Sequence, residues 1–486
     1  MDLAVERGGH LLRIPRRIPK RYAAVFGFFA VFFLLLGNFS WPDDSKSIST
    51  LESHDLMDVA QTKKFYLKSP IEPPYKNKFW EVGERVKHLG YWIGASDELP
   101  SDKKQGIESS TTAETIAQSL FPFLQNSTRN PESVTPLADL RKSYKPGSRG
   151  IIIPVGGGEQ SVRYACHLIV SLRHVLHSKL PIQIAYAGDE DLPPEHRSMI
   201  QGLRSATDME FLDVLSVFND ETLKLQGAGW AIKPFALLAS RFEKAILIDA
   251  DAVFLQKPEV LFDHKPFVEK GAYLFHDRLL WKDRYPERHI WWKDQIKQPS
   301  PEISKSKVWM DHYSEECDSG VVVVDKSRIP VFVGLLHVAW QNTHDVRTDV
   351  TYKYGYGDKE SWWLGFELSG STYEFEAQYG SIIGWGDSPT AKNVKMVCSF
   401  VIAHLDTRQR LLWYNGGLLE NKRSDLNKYR LPSYWMTGGK WEKGRTQEDM
   451  SCMHNGTVYS LTDTEKTILG ESIDMAKEVD KAFARH

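Results

Sequence analysis

Ala245-Ile246-Leu247-Ile248-Asp249-Ala250-Asp251-Ala252-Val253-Phe254-Leu255 is the stretch on which the fold turns. An apolar run empties into two carboxylates spaced i, i+2 and then resumes. In an extended strand that spacing places Asp249 and Asp251 on one face. The carboxyl end of a strand is where α/β sheets hold their ligands. Two oxygens there can grip a divalent cation that in turn holds a diphosphate. Hard oxygen donors suit manganese or magnesium better than zinc. The competing arrangement is a β-turn whose acids cap the next helix. The resumed run Ala252-Val253-Phe254-Leu255 favours a pair set inside a buried element, where its charge needs a counter-ion.

Upstream, Gly150-Ile151-Ile152-Ile153-Pro154-Val155 predicts a buried strand broken by Gly156-Gly157-Gly158. Tyr164 to Leu176 carries Ala165, Leu168, Ile169, Leu172 and Leu176 at helical spacing. Ile182 to Ala187 and Phe211 to Leu215 predict two more strands, with a helix opened by Pro193-Pro194-Glu195 between them. Ile232 to Phe242 predicts a helix running directly into the Asp249 strand. This alternation predicts an α/β domain with a mostly parallel sheet covered on both faces. Beyond it, Ala272-Tyr273-Leu274-Phe275 and Gly320 to Val324 read as strands, separated by an aromatic and charged insertion from Trp281 to Met310. Helices around Val331 to Trp340 and Ser361 to Leu368 complete a second lobe. The Gly156-Gly157-Gly158 loop matches neither a Walker loop nor the dinucleotide fingerprint. Its backbone either contacts a nucleotide, with Gly157 as the donor-binding position, or simply turns.

Tyr22 to Phe39 is apolar and uncharged, about long enough to span a bilayer. Arg13, Arg16, Arg17, Lys20 and Arg21 precede it, and Asp43 and Asp44 follow. The positive-inside rule then keeps residues 1–21 in the cytosol and puts everything after the anchor on the other side. A cleaved signal peptide is the alternative; the length of the apolar run and the missing small-x-small exit favour a retained anchor, residues 22–39. Residues 40–145 are polar and poorly periodic and are expected to form a lumenal stem, with an amphipathic exception near Phe79 to Val86. Residues 146–486 are long enough for a substantial core. Cys166, Cys317, Cys398 and Cys452 allow up to two disulfides in three full pairings. The sequons at Asn126 and Asn455 fit a secretory surface, and Asn38 abuts the membrane. A formal net charge of -2 gives no reason to expect nucleic acid.

Five stretches together resemble the fungal Golgi α-mannosyltransferases of the yeast terminal α-1,3 type. They are Ile151-Ile152-Ile153-Pro154-Val155-Gly156-Gly157-Gly158; Ala185-Tyr186-Ala187-Gly188-Asp189; Asp249-Ala250-Asp251; Asp318-Ser319-Gly320-Val321-Val322-Val323-Val324-Asp325-Lys326; and Tyr356-Gly357-Asp358-Lys359-Glu360-Ser361. The likeness runs from Gly150 to about Asp406. It implies a GT-A fold, GDP-mannose as donor, Mn²⁺ as cofactor, and transfer to a mannosylated glycan acceptor with retention, through α-1,3 or α-1,2 bonds. It also implies a single-pass type II Golgi membrane protein acting in protein glycosylation. Either a transferase complex or a homo-oligomer is compatible with it.

Carried onto these residues, the resemblance makes Asp251 the direct metal ligand and shares Asp249 between the metal and the donor ribose. His404, ending the run Ile402-Ala403-His404, is the expected third ligand, and Lys233 is similar to a donor-contacting lysine. Asp318 and Ser319 are placed to hydrogen-bond donor sugar hydroxyls, since a carboxylate and a hydroxyl grip OH groups directionally. Asp358, Lys359 and Glu360 bring three ionisable groups to the start of a helix, Lys359 counted with the donor-binding set. Asp358 or Glu360 is expected on the sugar's β face, as a stabiliser of an oxocarbenium-like centre or as a nucleophile. Asp358 could equally cap the helix. Trp362, Trp363, Tyr354 and Tyr356 offer rings for an acceptor sugar, although aromatics more often fill cores. A disulfide at Cys317 would fix the neighbouring Asp318 loop.

Two other classes compete. Ile248 to Val253 fits the nucleophile motif of haloacid-dehalogenase phosphatases, but about a hundred residues of βα units precede it where that motif normally opens its domain. A non-catalytic glycan-binding membrane protein would not need both acids of the pair.

Overall fold

The computed structural model describes residues 59–203 and 208–483. The tail, the Tyr22–Phe39 stretch and the first part of the expected stem lie outside the described residues. Among the described residues no helix is long and apolar enough to cross a membrane.

The apolar runs become the centre of a seven-stranded sheet of order β3-β2-β1-β4-β7-β6-β8. Its strands are β1 (Lys145–Pro154), β2 (Ile182–Tyr186), β3 (Met209–Asp213), β4 (Phe242–Ile248), β6 (Ala272–His276), β7 (Cys317–Asp325) and β8 (Glu374–Phe375); β5 (Ala252–Phe254) belongs elsewhere. Ile151, Ile152 and Ile153 are wholly buried, as a strand covered on both faces requires. Pairings β1–β2, β1–β4 and β2–β3 are parallel, as the alternation predicted. The other half departs from that expectation. Strand β7 runs antiparallel to both β4 and β6, so the sheet is mixed. The insertion between β6 and β7 brings the chain back from the end at which it left, and that return makes an antiparallel pair.

The aspartate pair is also placed differently from the in-strand expectation. Strand β4 stops at Ile248, and the N–H of Ala252 donates to the carbonyl of Asp249 at 3.0 Å. Asp249-Ala250-Asp251 is therefore a tight turn, neither an in-strand pair nor a helix cap. The resumed apolar run is β5, which leaves the main sheet and pairs with β12 (Leu411–Asn415), itself paired with β11 (Ile402–Leu405). The acids thus hang between two sheets, with both flanking strands buried.

A second sheet of order β16-β17-β10-β9-β15-β18 closes the carboxyl-terminal side. It comprises β9 (Ile382–Gly386), β10 (Met396–Ser399), β15 (Tyr434–Thr437), β16 (Lys440–Glu442), β17 (Ser451–His454) and β18 (Thr457–Ser460). A short ribbon, β13 (Leu419–Asn421) with β14 (Asp425–Tyr429), stands apart, and the helix Asp463–Phe483 ends the fold. Cys398 and Cys452 are directly opposed on β10 and β17 and form a disulfide. Cys166 and Cys317 are buried free thiols, so the expected tether at Cys317 is absent.

From residue 59 onward the expected stem is folded. Helices Val59–Lys68, Phe79–Glu98, Lys104–Leu120 and Pro136–Lys142 belong to the same compact unit as the sheet. Phe79, Val82, Val86, Leu89 and Ile93 recur at helical spacing and are buried against Ile329–Gln341 and Lys359–Leu368. A Cβ on Gly83 would lie 2.5 Å from the carbonyl oxygen of Leu368. This contact fixes the helix that starts at Lys359, one wall of the site.

Candidate active site

Helix Ile232–Ala239 is buried along its whole length. It carries Lys233, only 3 % exposed, into the interior beneath the aspartate turn. The Lys233 ammonium lies 2.8 Å from Asp249 Oδ1 and 3.5 Å from Asp358 Oδ2. It donates as well to the Ser319 carbonyl at 3.1 Å and to Ser319 Oγ at 3.2 Å. One cation thus gathers three of the predicted motifs: the aspartate turn, the start of β7 and the Asp358 segment. Burial opposes its charge, but Asp249, Asp358 and Asp318 outweigh that and hold its pKa above the ordinary lysine value. Asp249 shows the other side of the balance. Burial, reinforced by the like charges of Asp251 and Asp358, pushes its carboxyl up to about 7 despite the pull of Lys233.

Behind this hub sits a second charge group. Asp318 is fully buried; its Oδ2 lies 3.1 Å from His404 Nε2, and its Oδ1 accepts from Asn415 Nδ2 at 2.8 Å. The other ring nitrogen of His404 is 2.6 Å from Glu376 Oε1. The imidazole stacks on Trp413, centroids 4.2 Å apart. Burial disfavours a charged ring, yet Glu376 and Asp318 overcome it and raise His404 to about 9. Both nitrogens are therefore committed to carboxylates. In this arrangement His404 is a buried clamp that orients Asp318, with Glu376 behind it.

Asp251 points away from Lys233 and pairs with Lys422, which follows β13 and lies beside the Tyr164 ring. Lys359 pairs with Asp277, a buried acid at the end of β6. Burial works against the Lys359 charge, but Asp277, Asp318 and Glu315 more than compensate. Glu360 faces away from the hub. Its Oε2 accepts from the Trp363 indole at 2.5 Å and its Oε1 from the N–H of Glu316 at 3.1 Å, and burial pushes its carboxyl up to about 8. Asp358 keeps contact with the hub while accepting from the Trp362 indole at 2.8 Å. Of the two acids expected on the sugar's β face, Asp358 touches the cluster and Glu360 does not. Trp362 and Trp363 are core residues, and Tyr354 stacks on Trp291.

The glycine loop follows β1, next to β4. The backbone N–H groups of Ala187, Gly157 and Gly227 converge on the Asp191 carboxylate. A Cβ on Gly156 would sit 2.2 Å from the same group. Asp191 thereby knits three loops together. Asp191, Asp277, Glu376, Asn415 and Lys422 were not singled out from the sequence. Lys422 follows Asn415-Gly416-Gly417, a polar glycine-rich break after an apolar run, and that was the readable signal.

With the geometry in view, residues 148–406 match the model of a family described as "Mannosyltransferase putative". The chain belongs to that mannosyltransferase family. Curated relatives in it include the Saccharomyces cerevisiae alpha-1,3-mannosyltransferases MNN1 and MNT3, each 26% identical. MNN1 matches over 63% of this chain and MNT3 over 76%. The chain spans 45% of the length of the first relative and 65% of the second. The family resemblance read from the five stretches is thus borne out. A crystal structure of a galactosyltransferase, LgtC, with donor and acceptor sugar analogues overlaps 46% of this chain and 72% of its own at 14% identity. Its TM-score of 0.29 is too low to bear on the fold.

A mannosyltransferase of this family raises the question of a divalent cation. Among the described residues no three His, Cys, Asp or Glu side chains gather into a protein cage. Hard cations that serve phosphates often take only one or two carboxylates and leave other positions to substrate and water. Asp249 and Asp251, with side chains 21% and 20% exposed, fit that description. Burial is the main cause that lifts Asp249, and the like charges of Asp251 and Asp358 that add to it are what such an ion would relieve.

Proposed function

We propose that this chain is a retaining, metal-dependent α-mannosyltransferase of GT-A type that moves mannose from GDP-mannose to an α-mannoside acceptor. The observation that carries this reading is the convergence of Asp249, Ser319 and Asp358 on Lys233, in a chain whose family match spans those residues. The sheet order, with a parallel half ending at β4 and an antiparallel partner in β7, supports the GT-A assignment. Asp249 and Asp251 would hold the cation; their hard oxygens suit manganese or magnesium, and the family resemblance implies Mn²⁺. When bound, it supplies positive charge to the diphosphate leaving group, and such charge stabilisation is the main source of acceleration in this kind of transfer.

The chain's own residues do the rest. Lys233 fixes the Asp249 carboxylate and the Ser319 hydroxyl in one geometry, so neither must reorganise during reaction. Asp318, clamped by His404 and Asn415, is held as an ionised acceptor for a donor sugar hydroxyl. Lys422, beside Asp251, is a second cation within reach of the diphosphate. Asp358, tied to Lys233, stabilises positive charge developing at the anomeric carbon. The acceptor oxygen forms its bond to that carbon as the bond to phosphate breaks, and the acceptor proton passes to the departing phosphate oxygen.

The Tyr22–Phe39 composition and flanking charges support a type II anchor, with Golgi residence implied by the family resemblance. Asn126 and Asn455 are exposed, as glycosylated positions in that compartment would be. The test is incubation of the purified lumenal chain with GDP-mannose, mannobiose and Mn²⁺, followed by linkage analysis. Transfer that EDTA abolishes and Mn²⁺ restores supports the reading. Hydrolysis of a phosphomonoester with no transfer, or transfer indifferent to EDTA, sinks it.

A further inference from the structure

We propose that the solvent-open pair Trp230 and Tyr356, packed against each other at Gly357, is the subsite for a pyranose ring of the acceptor. It rests on the transferase reading above. Trp230 is 47% exposed and Tyr356 is 54% exposed, whereas Trp362 and Trp363, in the helix that follows Tyr356, are buried. The two rings come from distant segments and meet with centroids 5.4 Å apart and planes at 47°. Gly357 makes the meeting possible: its φ is +63°, and a Cβ there would lie 2.6 Å from Trp230 Cε3. Two large rings held together yet half open to water form a platform.

Position selects the ligand. Trp230 lies just before Lys233, which holds Asp249 and Ser319. Tyr356 lies just before Asp358 and Lys359, whose Nζ is 5.9 Å from the Tyr356 ring centroid. The platform is rimmed by the Lys359 ammonium and the Asp277 carboxylate that it pairs with. A pyranose has an apolar C–H face and a rim of hydroxyls, and this surface offers the complement of both. The competing occupant is the donor's base, because Asp191 also holds the Gly227 loop that leads into Trp230; the GDP arm of the experiment separates the two.

The experiment compares wild type with Trp230→Ala, Tyr356→Ala and Tyr356→Phe, using mannobiose kinetics, GDP calorimetry and saturation-transfer NMR with methyl α-mannoside. Each alanine variant should raise the acceptor KM about tenfold, the scale of one lost aromatic contact. The GDP Kd should move less than about twofold on that same account, and Tyr356→Phe, which keeps the ring, should recover most of the acceptor affinity that Tyr356→Ala loses. Half-exposed positions leave the fold intact, and an unchanged melting curve checks this. A loss of GDP affinity with acceptor KM unmoved would assign the pair to the base and overturn the proposal. So would no change in either. If wild type transfers nothing from GDP-mannose, the transferase reading fails separately. Saturation transfer to the mannoside in wild type, lost in Trp230→Ala, would then still support the subsite, and its absence in wild type would overturn it.

Discussion

Replacing Lys233 by methionine tests the hub directly. The substitution keeps most of the side chain's volume and removes a buried ammonium that serves Asp249, Asp358 and Ser319. Removing one partner of a buried pair costs about 3–5 kcal/mol, because the remaining charge has no counter-ion. Asp249 has a way to reduce that loss. Its carboxyl already stands at about 7, and without Lys233 it rises further, so it can take up a proton near neutral pH. A group whose folded pKa is raised stabilises most at low pH and loses that contribution as pH climbs through the folded value. The deficit of Lys233→Met should therefore widen from pH 6 to pH 8.5, by at most about 1.4 kcal/mol per unit where Asp249 titrates. Urea unfolding followed by tryptophan fluorescence, with EDTA present in both proteins, reads the difference in midpoint. A deficit below about 1 kcal/mol at both pH values, against the scale above, or one that narrows as pH rises, would refute the hub.

Other expectations follow from the same structure. His404, raised to about 9, should contribute stability that is complete below its unfolded value near 6.5 and fades as pH rises through 9. The gap between wild type and His404→Asn in unfolding free energy, read from urea curves, should thus shrink by about 3 kcal/mol between pH 6 and pH 10. Without reductant, Ellman titration should find the two buried thiols of Cys166 and Cys317 only after denaturation. Reducing the Cys398–Cys452 bond, which closes a loop of 54 residues, should lower stability by about 2–4 kcal/mol, read as a drop in Tm. Asp251→Asn should abolish manganese-stimulated transfer while leaving the melting temperature within a few degrees, because its partner Lys422 remains partly solvated.

The legible parts of the fold were those where local pattern and burial coincide. Ile151 to Ile153 and Val321 to Val324 announce strands covered on both faces, and both runs are fully buried. The acids of the turn, Lys233, Ser319 and Asp358 were readable because each sits at the end of a strong apolar element, and the fold gathers them. Partners distant in sequence were not. Asp251 finds Lys422 across 171 positions and Asp277 finds Lys359 across 82, and no local pattern encodes either meeting. His404 sits where a ligand could, at the end of a strand, but Glu376 on the far side takes its free nitrogen. The helices from residue 59 hid behind polar residues, although Phe79, Val82, Val86, Leu89 and Ile93 kept helical time. The carboxyl-terminal strands run to five residues or fewer, too short for periodicity to separate them from loops.

The contact between Gly83 and the end of helix Lys359–Leu368 makes the amino-terminal helices part of the machinery's frame. A bulky residue at position 83 would push on Leu368 and tilt the wall from which Asp358 and Lys359 project. Genetic screens would then score lesions around residue 83 as losses of enzyme function, although no substrate ever comes near them. A fragment trimmed at residue 146 would fail for the same reason, its missing buttress mistaken for a dead catalyst.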